Sequence, residues 1–156
     1  IADATENAGS TGGPPGMLQP GMLPAPSRFA EAACVIAKDG SVLYWHLPAG
    51  RSGGYLPDSK DLWDVIWANR ELVAGVAHTH PGSGICGPSN EDLTTFAAID
   101  AALGRHLTYW ILSADWAVIV EYDNPTSARV RQPVFTVDTA VERSWANELR
   151  RRSATT

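Results

Sequence analysis

Two histidines two residues apart, His78 and His80, close an apolar run. Beyond a loop holding Pro81, Gly82, Gly84, Gly87 and Pro88 comes a Ser-x-x-Asp, Ser89 to Asp92. In extended chain, side chains i and i+2 point to one side, so the two imidazoles are presented together. Ser89 falls at the N-cap of a helix, and Asp92 in its first turn, where the helix dipole favours a carboxylate. If the Gly-rich loop folds back, Asp92 meets both histidines. Two His and one Asp make a three-ligand site with an open fourth position, the form of a catalytic rather than a structural zinc site. The same residues admit a plainer reading. Ser-x-x-Asp resembles a capping box, which needs no metal, and a His-x-His pair alone recurs by chance.

Such a site needs elements to hold it. Ala32–Lys38 and Ser41–Leu47 are apolar, β-rich runs joined by Asp39-Gly40, the signature of a hairpin. After a Gly- and Pro-rich loop, Pro48–Pro57, the segment Asp58–Arg70 has apolar residues at 62, 63, 66 and 67, a helical spacing. Leu72–His78 is nearly continuous apolar chain, which suits a central strand buried on both faces. Ser89–Leu103 reads as a helix burying Leu93, Phe96, Ala97, Ile99 and Leu103, ended by Gly104. Leu107–Leu112 and Trp116–Tyr122 read as two further strands, and Ala128–Val137 as an edge strand. Asp138–Arg152 reads as a closing helix with Val141, Trp145 and Leu149 inward and Arg150–Arg152 favourably placed at its end. The expected class is α/β, a mixed, largely antiparallel sheet flanked by about three helices.

At 156 residues, residues 28–152 are expected to form one domain, preceded by an arm over 1–27 and followed by a tail over 153–156. The arm carries ten Gly or Pro and a tandem echo, PGMLQ-PGMLP at Pro15–Pro24, which holds both methionines, Met17 and Met22, beside Leu18 and Leu23. Such a composition does not offset its ordering entropy by burial, so it reads as a tether, or as a docking arm. A net charge of −5 argues against nucleic acid as the main partner. No run approaches the roughly 18 apolar residues of a membrane span. Two cysteines are too few for a disulfide scaffold, which makes a cytoplasmic location the expectation. No signal pattern opens the chain, and its start at Ile1 rather than Met makes a fragment or a processed form the expectation.

The stretch resembles the JAMM motif of the MPN+ (JAB-domain) metalloproteases, Glu…His-x-His-Pro-x(6)-Ser-x-x-Asp. His78-Thr79-His80-Pro81 and Ser89-Asn90-Glu91-Asp92 match it, with seven residues rather than six between Pro81 and Ser89. The family's upstream glutamate precedes a first apolar strand, and Glu31 stands at that place. Glu71 is the other acidic candidate, but it starts the strand that ends at His78, about 23 Å away when extended. The resemblance covers roughly residues 28–125 and implies an MPN/JAB (cytidine-deaminase-like) fold. It implies one Zn²⁺ held by His78, His80 and Asp92, Glu31 as general base, and Ser89 as hydrogen-bond donor to the tetrahedral oxyanion unless its only role is the cap.

The resemblance further implies a zinc metalloprotease that cuts the peptide or isopeptide bond after the C-terminal glycine of a ubiquitin-like protein. Gly53, Gly54 and Tyr55, in the loop between hairpin and helix, are candidates for one wall of a narrow channel for that tail. The chain leaves no room for the long second insertion of the eukaryotic deubiquitinating members. A minimal prokaryotic JAB protein acting on a ubiquitin-like or sulphur-carrier protein is therefore expected. Relatives of that kind are associated with ubiquitin-activating-like and conjugating-like enzymes, some in antiphage defence. Two rivals are a metal-free MPN− scaffold and a RadC-like, DNA-repair-associated protein, which shares the Pro88-Ser89 pair. Cys86 reads as a half-buried loop thiol, with a fourth zinc ligand or a pairing to Cys34 as alternatives. His46 and His106 read as strand and helix-end residues, the six tryptophans as core, and Arg150–Arg152 as a solvated helix end.

Overall fold

A computed structural model describes residues 29–122, 134–138 and 143–154. The elements run β1 (Ala33–Ala37), β2 (Val42–His46), α1 (Lys60–Ala68), β3 (Val73–Thr79), α2 (Asn90–Leu103), β4 (Thr108–Leu112), β5 (Ala117–Glu121), β6 (Val134–Asp138) and α3 (Ser144–Ser153). The six strands form one open sheet in the order β2-β1-β3-β4-β5-β6. Only β3 and β4 pair in parallel; the other neighbours are antiparallel. The fold among the described residues is thus mixed α+β, a mostly antiparallel sheet with three helices. The arm over 1–27, residues 128–133 of the expected edge strand, and Val141 lie outside the described residues.

The β1–β2 hairpin forms as its turn chemistry requires. Gly40 takes φ +87°, a left-handed conformation that favours glycine, and Asp39 Oδ1 accepts from Ser41 N at 2.9 Å. Strand alternation then divides the core in two. Ala33, Val35, Val76, Tyr109 and Ile111 face α1 and α2, where Leu62, Ile66, Phe96 and Ile99 meet them. Cys34, Ile36, Ala77, Trp110 and Leu112 face α3, packing on Trp145, Ala146 and Leu149. β3 lies between β1 and β4 and is buried on both faces, as its continuous apolar run implied. A Cβ at Gly75 would lie 1.8 Å from the Thr108 carbonyl oxygen, so this close strand approach requires glycine.

Three expectations are corrected. Ala97 is exposed, and the inward stripe of α2 continues instead through Asp100, a buried carboxylate. Asp138 ends the edge strand rather than opening the last helix, which starts at Ser144. The tryptophans are not uniformly core. Trp110 and Trp145 are buried, Trp45, Trp63 and Trp116 half-buried, and Trp67 is 55% exposed beneath the Arg70 guanidinium. The nine-residue α1 packs through Leu62 and Ile66, one turn apart, and Trp67 lies one step further round the helix.

Candidate metal centre

The C-terminal end of β3 carries the site. Val76, His78 and His80 share one face by alternation, and Thr79 points to the other, where its hydroxyl meets Ser153 of α3. The antiparallel β1–β3 register pairs Ala33 with His78, and its continuation sets Glu31 opposite His80. Thr79 N donates to the Ala32 carbonyl at 2.9 Å and keeps the strands paired to that point.

Asp92 arrives through the loop. Gly82 and Gly84 have φ of +128° and +87°, and the loop is pinned to the β4–β5 turn. Ala114 N donates to Gly82 O at 2.8 Å, Gly84 N to Asp115 Oδ1 at 2.8 Å, and Ser113 Oγ to Gly84 O at 2.6 Å. α2 then starts with both halves of a capping box. Ser89 Oγ accepts from Asp92 N at 3.1 Å, and Asp92 Oδ2 accepts from Ser89 N at 2.8 Å. The cap and the convergence on the histidines coexist, because the same Oδ2 faces both rings.

The donor atoms form a near-equilateral triangle. His78 Nε2 and His80 Nε2 are 3.1 Å apart, and Asp92 Oδ2 lies 3.3 Å and 3.1 Å from them. Tetrahedral zinc with bonds near 2.0–2.1 Å separates its ligands by about 3.3–3.4 Å, so the triangle has the size of one face of such a polyhedron. A carboxylate oxygen of Glu31 and the two imidazoles have ligand atoms all within 4.8 Å of one another. Two imidazoles and a carboxylate suit zinc chemically, and the spacing fits it.

The electrostatics follow from this crowding. Burial opposes ionisation of Asp92, but hydrogen bonds from both imidazoles overcome it and hold the carboxyl far below its usual range. The bond to Asp92 raises the His80 pKa. Glu31 is pushed up, mainly by partial burial, although the two imidazoles pull the other way.

Glu31, His78, His80, Ser89 and Asp92 line one cavity of about 420 Å³, and so do Gly53, Gly54 and Tyr55. Its floor is apolar, with Ala33, Leu62, Val76, Phe96 and Ile99. Its lining carries the carboxylates Glu31, Asp58, Glu91 and Asp92 and the imidazoles of His46, His78 and His80, with neither Lys nor Arg among the described residues. The 48–57 loop is tied to Glu31 directly. Glu31 N donates to Ser52 O at 2.8 Å, and Arg51 Nη1 donates to Glu31 O at 3.1 Å. A second Arg51 nitrogen reaches the Arg152 carbonyl at the end of α3.

Two contributors escaped sequence reasoning. Arg51 is a lone cation in a Gly-rich loop, without a local pattern. His46 pairs with Ala33, the residue that also pairs with His78, and it lines the cavity with its Nε2 donating to Pro57 O at 2.7 Å. Burial lowers its pKa. Glu71 lies exposed just before β3, away from the histidine end. Cys34 and Cys86 are both free, so the pairing alternative is corrected, and burial pushes the Cys34 thiol up to about 12. Arg150 and Arg152 are half-buried rather than solvated. Arg150 Nε donates to Ser113 O at 2.7 Å, and Arg152 stacks 4.3 Å over the Trp45 ring. No helix among the described residues is long and apolar enough to cross a membrane. No family model and no curated protein matches the chain.

Proposed function

We propose that this chain is a zinc-dependent peptidase or isopeptidase of JAMM type, with an MPN/JAB fold, acting after the C-terminal glycine of a ubiquitin-like protein. The observation that carries the reading is the donor triangle of His78, His80 and Asp92 at tetrahedral spacing, with Glu31 beside it in one cavity. Zinc, when bound, supplies a Lewis acid and lowers the pKa of water toward about 7.

The chain's own residues do the rest. Glu31 takes a proton from the attacking water and returns it to the leaving amine, and its raised pKa suits that exchange. Ser89 accepts one N–H through its oxygen, which leaves its hydroxyl proton to donate to a developing oxyanion. Gly53 and Gly54 form a wall without side chains, which suits an extended tail, and Tyr55 flanks them. The lining has four carboxylates and, among the described residues, neither Lys nor Arg to hold a phosphate backbone, which weighs against the DNA-associated reading.

The test is elemental analysis of the purified chain, followed by hydrolysis of fusions to ubiquitin-like proteins. One zinc per chain is expected, lost in His80→Ala. Glu31→Gln is expected to keep the zinc and lower hydrolysis by about 10²- to 10⁴-fold. Absence of zinc after metal repletion sinks the metallohydrolase reading. Full activity in Glu31→Gln removes Glu31 as the base.

A further inference from the structure

A second cavity, of about 400 Å³, lies behind the metal-bearing strand, on the α3 side of the sheet. Its walls are Thr79 to Gly82 at the end of β3, Leu112 to Ala114 at the end of β4, Arg150 and Ser153 from α3, and Phe29. Most of its polar wall groups are engaged within the protein, and Arg150 uses its Nε and one Nη2 donor there. Ser153 Oγ donates to Ala30 O at 2.6 Å, so the Thr79 hydroxyl donates to Ser153 Oγ while accepting from Ala32 N at 3.0 Å. Ser113 Oγ donates to Gly84 O, His80 N to Leu112 O, Ala114 N to Gly82 O, and Arg150 to the Ser113 and Trp116 carbonyls. A wall whose polar atoms are mostly paired offers an incoming group chiefly shape and apolar surface.

The position of the cavity names its occupant. Phe29, 52% exposed, is the residue at which residues 1–28 join the described chain. Those residues contain the repeated PGML, and Leu23 stands six residues before Phe29. Six residues reach up to about 20 Å, ample for a cavity whose wall includes Phe29. Methionine adapts its shape to irregular apolar gaps, and PGML repeats a Met-Leu pair within an arm otherwise rich in Gly and Pro. We propose that Met22-Leu23 of the chain's own arm seats in this cavity and braces, from the far face, the strand end that carries His80.

The chain contains two methionines, Met17 and Met22, both in the arm. Protein of this 156-residue sequence labelled with ¹³C at the methionine methyls therefore gives a two-signal spectrum of the arm alone. The synthetic decapeptide PGMLQPGMLP provides the undocked positions. The Met22 methyl is expected to be displaced from its decapeptide position and to show cross-relaxation with Leu112. Ala114→Trp, which fills the cavity from an exposed position, is expected to return the signal to the decapeptide position. Leu23→Ser, which alters no described residue, is expected to do the same. Both methyls at decapeptide positions in the native chain overturn the proposal. A displaced signal unmoved by either variant does so too, because the arm then rests elsewhere. A displacement that vanishes on dilution shows docking on a second copy and overturns the intramolecular form. None of these readouts depends on zinc or hydrolysis.

Discussion

Helix α2 sets a carboxylate against histidine at both ends, and the two arrangements differ in how their protons are shared. Toward its C-terminus, Asp100 is buried and each oxygen has its own donors. His106 Nδ1 lies 2.7 Å from Oδ2, while the Tyr109 hydroxyl and Leu107 N donate to Oδ1 at 2.7 and 3.0 Å. Burial, then the Asp100 charge, raises the Tyr109 pKa and keeps its proton in place. His106 stacks on Tyr122 at 4.1 Å, which closes the cluster. At the N-terminus, Asp92 Oδ2 faces two imidazole nitrogens that also face each other, at the edge of an open cavity. A satisfied buried network rigidifies a core, whereas lone pairs converging on one point suit a cation. The same residue types thus serve packing at one end and, on our reading, metal chemistry at the other.

Replacing each carboxylate in turn is the strongest test of this contrast. Asp92→Ala is expected to weaken zinc retention by more than about 100-fold, since loss of outer partners alone costs about 10- to 100-fold. The same variant removes one half of a cap and the acceptor shared by His78 and His80, so the zinc-free chain should lose about 1–3 kcal/mol. Asp100→Ala should do the reverse, leaving zinc content unchanged while lowering stability by about 3–5 kcal/mol, because buried donors lose their acceptor. Titration with denaturant, with and without zinc, reads both. Similar profiles for the two variants would erase the distinction.

Ser89→Ala sharpens the contrast within the metal end. Loss of the cap should lower stability by about 1 kcal/mol. A drop in kcat of about 10²-fold or more with zinc retained would assign its hydroxyl to the oxyanion as well. Unchanged kcat would leave Ser89 as a cap alone.

The smallest effect is a dependence on pH. In the zinc-free chain His80 has a folded pKa above its ordinary 6.5, raised by the bond to Asp92. Its contribution is therefore complete below pH 6.5 and is lost as pH rises through the higher folded value. Zinc requires deprotonated rings, so stabilisation by added zinc should grow over the same rise. Melting temperatures across that window should diverge between metal-free and metal-loaded protein. Parallel curves would mean that His80 takes no metal.

Much of the site was legible locally. Asp39-Gly40 announces its hairpin, and Pro88-Ser89 with Asp92 announces a capped helix, because turn and cap energies act over a few residues. His78 and His80 share a face wherever the chain is extended. The tryptophans and Ala97 were less legible, because apolar spacing marks a helix without saying which neighbour its stripe meets. Trp67 shows this, since α1 buries only the narrow strip that contains Leu62 and Ile66.

What the sequence by itself determined is the donor chemistry, the order of elements and the turns between them, all set by residue type and spacing. Only the tertiary structure decided which distant groups meet. The β1–β3 register continues to Glu31 opposite His80, His46 pairs with the same Ala33 that pairs with His78, and Arg51 ties the 48–57 loop to both Glu31 and the end of α3. Those meetings join segments far apart along the chain. They rest on sheet register, which the whole fold sets at once and no local spacing encodes.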